Sequence, residues 1–235
     1  SMSDLKAILG KNLEELRGRI GKAAAKTGRS PDDITMIAVT KTIPVEQIKE
    51  IISLGVLDLG ENRVQELSGK HGQLNKACRW HLIGHLQTNK VKQVLDKVCM
   101  IHSLDSIELA REIQKRASSA NRTMDVLVQV NVAQEESKFG IKSEETLEFV
   151  RELSRMDHLK VRGLMTIAPY TPNPEEIRYV FKGLRKLLID IRAENIDNIS
   201  MDYLSMGMSN DFEVAIEEGS NMIRVGTALF GHRTT

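Results

Sequence analysis

The most restrictive feature of this sequence is its regular alternation of short apolar runs with segments of helical periodicity. The runs rarely alternate apolar with polar residues, which is typical of parallel strands covered on both faces. Eight such strands with intervening helices predict an α/β fold, a single (β/α)8 TIM barrel, with an open doubly wound sheet as the alternative. The predicted strands lie near residues 35–40, 56–59, 80–83, 98–102, 125–131, 161–166, 201–204 and 223–225.

Helical patterns fill most of the intervals, and one extra helix is predicted before the first strand. We expect Ser106, Ser143 and Asn173 to be N-caps, because their side chains can accept from free helical N–H groups. Asn210 and Glu213 have the spacing of a capping box. The predicted helices span about residues 4–27, 45–53, 106–119, 143–155, 174–193 and 210–218.

Length and composition fit one globular domain, which we expect to span residues 1–235. The net charge is +1 and the basic residues are interleaved with acidic ones, so the sequence predicts no nucleic-acid or membrane partner. No segment approaches the roughly 20 apolar residues that cross a bilayer. The two cysteines fit neither zinc-ligand spacing nor a disulfide framework. We therefore expect a cytoplasmic protein.

The first predicted strand is followed by a lysine, Lys41, which ends the apolar run 35–40. In parallel α/β folds, binding and catalytic sites are built at the carboxyl ends of the strands. Lys41 is therefore a candidate site residue. A solvated surface charge is the alternative interpretation of this lysine taken alone.

Two later segments carry groups suited to phosphate. In barrels, the loops after the seventh and eighth strands commonly bind phosphate through backbone amides and hydroxyls. Ser205-Met206-Gly207-Met208-Ser209 follows the seventh predicted strand, and Gly226-Thr227 follows the eighth; ordinary turn chemistry is the alternative for both. Arg224 interrupts the eighth strand, where a charge is costly unless it is paired, so it predicts either a structural salt bridge or a ligand contact.

Two histidines, His81 and His85, have the spacing of metal ligands on one helix face. They flank Gly84, where a strand is expected to pass into a loop, so their rings should diverge. We expect them to line the mouth of the barrel rather than to bind a metal.

Seven segments of the chain, taken together and in order, match a known family. They are Ala38–Thr42, Gly60–Glu66, Trp80–Gln87, Glu136-Ser137-Lys138-Phe139-Gly140, Gly163–Thr166, Leu204–Asp211 and Arg224–Gly231. Over nearly its whole length the chain resembles the YggS/PROSC family of pyridoxal 5′-phosphate (PLP)-binding proteins, the pyridoxal phosphate homeostasis proteins. More distantly it resembles the barrel domain of alanine racemase, which implies a fold-type III PLP-binding barrel.

The resemblance implies a role for each candidate residue toward PLP. Lys41 is implied to form an internal aldimine with the cofactor aldehyde. We expect this lysine to be partly buried, because removal from water favours the neutral amine that attacks a carbonyl. The phosphate is implied to be held by Ser205, Ser209, Gly226 and Thr227. Arg224 is implied to face the pyridine nitrogen, Asn62 to lie beside the ring, and Met206 to contribute backbone or packing at the phosphate loop.

The family implies a monomeric PLP carrier that acts in PLP homeostasis and delivery to PLP-dependent apo-enzymes, without strong turnover. A PLP-dependent amino-acid racemase is the alternative, and a vestigial barrel used for protein interaction is a third hypothesis. Racemisation requires a base on each face of the substrate. The lid domain that supplies the second base in alanine racemases is not expected here. Of the tyrosines, only Tyr170, in the loop after the sixth strand, is expected to reach the mouth, since Tyr179 falls in a helix and Tyr203 in a strand.

Overall fold

The computed structural model describes residues 1–74, 77–136 and 138–232 of the protein; Ser137, in one of the matched segments, lies outside the described residues. Eight parallel strands close into a barrel in chain order, with the first strand paired to both the second and the eighth. The predicted TIM barrel is confirmed. The strands are β1 (Thr35–Val39), β2 (Asp58–Glu61), β3 (Arg79–Leu82), β4 (Met100–Leu104), β5 (Met124–Gln129), β6 (Leu159–Met165), β7 (Ile199–Met208) and β8 (Met222–Val225).

Helices surround the barrel, and the extra N-terminal helix is present. They are α1 (Met2–Ala25), α2 (Val45–Ser53), α3 (Val64–His71), α4 (Val91–Val94), α5 (Ile107–Ser119), α6 (Thr146–Leu153), α7 (Arg178–Ala193), α8 (Phe212–Glu217) and α9 (Thr227–Phe230). The caps predicted at Ser106 and Asn173 are confirmed, since their side chains accept from the backbone N–H groups of Leu109 and Glu175. No helix in the described part of the chain is long and apolar enough to cross a bilayer.

Two cap predictions were wrong. Ser143 opens a 3-10 turn, Ser143–Glu145, whose N-cap is Lys142, and makes no side-chain cap. Asn210 does not form a capping box, because its amide donates to the Thr171 carbonyl at 2.8 Å. At Ser143, a tighter 3-10 first turn replaces the predicted cap. At Asn210, the side chain makes a hydrogen bond to another loop instead of capping its helix.

The hydrophobic core has two layers, one between the strands and the helices and one inside the barrel. The outer layer packs Leu and Ile side chains of α1, α2 and the outer helices against the strands. Inside the barrel lies a small apolar cluster, beside a polar chain that is described below. The interior cluster consists of Ile37, Met100, Leu127, Met165 and Met222. Because the barrel is filled rather than hollow, a ligand can enter only at the strand ends.

Candidate functional site

A cavity of about 690 Å³ opens at the carboxyl end of the barrel. Ligand pockets are typically roughly 300–1,000 Å³, so this cavity suits a small organic molecule. Six of the eight predicted site residues line it, and they come from the ends of four strands: Lys41, Asn62, Ser209, Arg224, Gly226 and Thr227. These residues are distant in sequence, and the closure of the barrel brings them together.

Lys41 lies in the turn that follows β1, directly after the fully buried Thr40. Its side chain is exposed at the cavity rather than partly buried. The expectation of a desolvated amine was therefore wrong for this structure. The physical reason is position, since the strand ends at Val39 and Lys41 stands two residues beyond it, at the open mouth.

Arg224 is the charged group at the floor of the cavity. Its side chain is 2% exposed, and its Nη2 donates to the Thr166 carbonyl at 2.8 Å. Burial lowers the pKa of Arg224 to about 10, with the nearby Asp211 carboxylate acting in the opposite direction, so the guanidinium remains charged at neutral pH. Its Nε has no hydrogen-bond partner among the described residues, and no carboxylate of those residues forms an ion pair with it.

This orphaned donor bears on the two interpretations of Arg224. A buried N–H without a partner costs free energy, and a structural salt bridge would have satisfied it. A ligand acceptor in the cavity would satisfy it instead. The lack of an ion pair among the described residues argues against a structural salt bridge, and the ligand contact stays a prediction.

The loop after β7 provides hydroxyl and amide groups. Ser209 Oγ accepts from the backbone N–H of Gly226 at 3.2 Å and of Ala228 at 3.1 Å, which ties the β7 and β8 loops together. Its own O–H hydrogen can still be donated to a ligand oxygen. Asp211 Oδ1 accepts from the Met208 N–H at 2.7 Å and fixes the loop between them. Burial raises the pKa of Asp211, while that hydrogen bond and Arg224 favour its charged form.

Two predicted residues of this segment do not line the cavity. Ser205 and Met206 are fully buried, because β7 extends to Met208 and holds both of them within the strand. Ser205 Oγ lies 3.0 Å from His102 Nδ1 inside the barrel. This placement contradicts the assignment of Ser205 to the phosphate, and Met206 packs in the core behind the loop rather than at the cavity.

The hydroxyl of Ser205 is one end of a polar chain inside the barrel. His102 Nε2 lies 3.0 Å from His81 Nδ1, and His81 Nε2 lies 2.9 Å from Asp58 Oδ1. Burial, with like-charge effects from His81 and Arg224, keeps the pKa of His102 well below its ordinary value. A chain of hydrogen bonds can therefore run from the Ser205 hydroxyl through His102 and His81 to the Asp58 carboxylate, with an acceptor for each donor.

The expectation that both histidines line the mouth was therefore wrong for His81. Its side chain points inward and reaches Asp58, at the start of β2 and the opposite end of the barrel. His85 is exposed, and its ring stacks on Phe139 with centroids 3.8 Å apart. Among the described residues, no group of three or more His, Cys, Asp or Glu side chains is arranged to hold a metal ion.

Asn62 reaches the cavity because a glycine allows a close backbone approach. A Cβ at Gly84 would lie 2.3 Å from the Asn62 carbonyl oxygen. Gly207 has a similar role behind the β7 loop, since its φ is +104° and a Cβ there would lie 2.7 Å from Ala215 Cβ. The matched segments include both glycines, but their physical reason is visible only in three dimensions.

Several residues that line the cavity were not among the eight residues predicted to bind the cofactor. Tyr170 was expected at the mouth and does line the cavity, while Asp211 was noticed only as part of a matched segment. No sequence pattern pointed to Arg19, because it belongs to α1 and reaches the cavity only through the packing of that helix against α8 and α9. Further lining residues are Val39, Ala168, Met208, Asn210, Ala228 and His232.

A family model described as the alanine racemase N-terminal domain matches residues 12–234. A "Pyridoxal phosphate homeostasis protein" of Aquifex aeolicus is 46% identical over 94% of this chain and 96% of that protein. The chain belongs to the family of pyridoxal phosphate homeostasis proteins. The pyridoxal phosphate homeostasis protein of Escherichia coli is 36% identical to this chain, over 94% of this chain and 95% of that protein.

Solved structures agree with this assignment. One solved structure, that of PipY of Synechococcus elongatus, has PLP bound. It superposes on this chain with a TM-score of 0.83 at 32% identity, over 95% of this chain and 100% of PipY. An alanine racemase of Clostridium difficile shares the fold, with a TM-score of 0.77 at 19% identity. The superposition covers 97% of this chain but only 58% of that racemase.

Proposed function

We propose that the protein binds PLP in the cavity at the carboxyl end of the barrel, with Lys41 as the covalent partner. The observation that carries this proposal is the arrangement of one exposed amine, one buried arginine with an unsatisfied N–H, and two tied loops around one cavity. The homeostasis proteins, at up to 46% identity, and PLP-bound PipY, which shares the fold at 32% identity, support it.

The residues present fit the cofactor. Ser209, Gly226 and Thr227 provide hydroxyl and backbone N–H groups for a phosphate. The Arg224 guanidinium provides a donor for the pyridine nitrogen, and Asn62 a contact for the ring. Ser205 is omitted from this set because its hydroxyl is bound to His102, and Met206 supports the loop from the core.

Lys41 would act as the nucleophile toward the cofactor aldehyde. When bound, PLP would supply an aldehyde that a primary amine can attack with release of water, and Lys41 would be the amine that holds it through a reversible covalent bond. Because Lys41 is exposed at the cavity, water or the amine of another protein can reach this bond, which favours exchange of the cofactor.

Arg224 determines how much chemistry the bound cofactor can supply. PLP withdraws electrons most strongly when its pyridine nitrogen is protonated. A guanidinium can only donate, so it favours the unprotonated nitrogen and weakens the electron sink. We therefore propose a carrier in PLP homeostasis that delivers the cofactor to apo-enzymes, without strong turnover. From the family resemblance and the composition, we further propose that it acts in the cytoplasm as a monomer.

The covalent assignment is tested by borohydride reduction of protein incubated with PLP, followed by peptide mass spectrometry. We expect the reduced adduct on Lys41, and loss of the visible absorption band in Lys41→Ala. Lys115→Ala is the matched control, because Lys115 is exposed on the outer helix α5. A band that persists in Lys41→Ala, or an adduct on another lysine, would contradict the proposal.

Amino-acid racemisation is the second candidate, and one observation favours it. Tyr170 lines the cavity and is 78% exposed, so its hydroxyl is available as a second base. The test is to incubate PLP-loaded protein and Tyr170→Phe with L-alanine and to measure D-alanine. Turnover that depends on Tyr170 would establish the racemase and displace the carrier.

A further inference from the structure

A buried ion cluster lies directly beneath the turn that carries Lys41. Lys70, on α3, is 9% exposed. Its Nζ donates to Glu61 Oε2 at 2.8 Å, to Glu66 Oε2 at 2.6 Å and to the Thr40 carbonyl at 2.6 Å. These three acceptors use all three N–H groups of the ammonium, so the position of Lys70 is fixed.

The cluster holds the peptide groups on both sides of Lys41. The carbonyl before it, that of Thr40, accepts from Lys70, and the N–H after it, that of Thr42, donates to Glu66 Oε2 at 2.7 Å. The same Glu66 oxygen binds Lys70. Lys41 is therefore the residue between two anchored peptide groups.

The backbone at this point adopts a conformation that needs support. Thr42 has a φ of +63°, in the left-handed region that β-branched residues rarely occupy. Strained residues of this kind persist only where surrounding contacts determine them. The Glu66 bond to the Thr42 N–H is such a contact, and it turns the chain immediately after Lys41.

Burying these charged side chains costs free energy, which a purely structural role would not require. Glu61 is fully buried, and its Oε1 has no hydrogen-bond partner among the described residues. Burial raises the pKa of Glu61, against the opposing effect of its bonds to Lys70 and Thr40. Apolar residues of similar volume often stabilise a core as well as a buried ion pair does. The cluster does what apolar residues cannot, which is to bind a carbonyl and an N–H simultaneously.

We propose that Lys70 and Glu66 are positioning residues for Lys41, which fix the backbone of the turn and so direct the Lys41 amine into the cavity. This inference rests on the proposed role of Lys41. It assigns to α3 a function in cofactor capture, although α3 does not line the cavity.

The test compares two glutamates, each paired with a cation four residues later on its helix. Glu66→Ala removes the acceptor of the Thr42 N–H, and Glu112→Ala, which breaks the Glu112–Arg116 pair on α5, is the control. The readouts are the PLP dissociation constant and the rate at which the visible band forms. We expect Glu66→Ala to slow capture and weaken binding by about tenfold or more, since small misplacements of a reacting group have large effects. Glu112→Ala should match the parent.

A second variant removes the Lys70 side of the cluster without leaving the fully buried Glu61 charged and alone. Glu61→Gln combined with Lys70→Met neutralises this pair and leaves the partly exposed Glu66 to accept from the Thr42 N–H, and we expect it to lose capture rate by a similar factor. Glu66→Gln keeps an acceptor oxygen and should recover most of the rate lost in Glu66→Ala. Circular dichroism and thermal melting verify that each variant is folded.

The outcomes separate this inference from the proposed function. If the parent forms no adduct on Lys41, the proposed function fails. If the parent forms that adduct and both cluster variants capture PLP within about twofold of its rate, the turn does not need the cluster and the positioning role is overturned. A lower melting temperature with unchanged capture would likewise identify the cluster as structural only.

Discussion

Replacement of Asp58 by asparagine tests the polar chain inside the barrel. Burial alone would raise the pKa of Asp58, but hydrogen bonds from His81 and Arg79 outweigh that effect and lower it from the ordinary 3.8 to about 2. The folded state thus favours the carboxylate. At about 1.4 kcal/mol per pH unit, this difference contributes about 2 kcal/mol to the free energy of unfolding at pH 7.

The sign of the pH dependence follows from the lowered pKa. The contribution is complete above the pKa of the unfolded chain and disappears as the pH falls toward 2. Asparagine retains an oxygen for His81 but carries no charge, so Asp58→Asn lacks this contribution at every pH. We expect the variant to be less stable by about 2 kcal/mol at pH 7 and by only about 1 kcal/mol at pH 3.

The assay is urea unfolding of the parent and the variant at pH 7, 5 and 3, with the exposed Asp197→Asn as control. The control should differ from the parent by less than about 0.5 kcal/mol. A difference for Asp58→Asn that stays constant between pH 7 and pH 3 would refute the reasoning, because it would show that the carboxylate charge does not carry the effect.

Two further predictions concern glycines near the site. Gly84→Ala would place a Cβ 2.3 Å from the Asn62 carbonyl oxygen. Because the backbone must then shift, we expect the free energy of unfolding, measured in urea, to fall by about 3 kcal/mol and PLP binding to weaken. Gly207→Ala combines a φ of +104° with a Cβ 2.7 Å from Ala215 Cβ, and should also cost about 3 kcal/mol. Gly69→Ala, in open space on α3, is the control and should stabilise by about 0.5–1 kcal/mol. Equal stabilities for the three variants would contradict the steric argument.

The sequence alone favoured the barrel and, through the family resemblance, predicted most of the residues that line the cavity. Strand and helix patterns are local, because they depend on side-chain periodicity and on caps such as Ser106, and eight alternations leave few topologies. Parallel strands end at the same face, so Lys41 and the segments after the seventh and eighth predicted strands had to converge there, whereas Asn62 was placed there only by the family resemblance.

Only the tertiary structure decided where Ser205 points and how Lys41 is held. The direction of a strand side chain depends on register, and the pairing of β7 with β8 shifts between Ser205 and Met208, which no local pattern reveals. The bonds from Lys70 and Glu66 to the turn after β1 join residues 24 to 30 positions apart. Such contacts form only when the closed barrel brings β2 and α3 beside β1, so they leave no periodicity in the sequence.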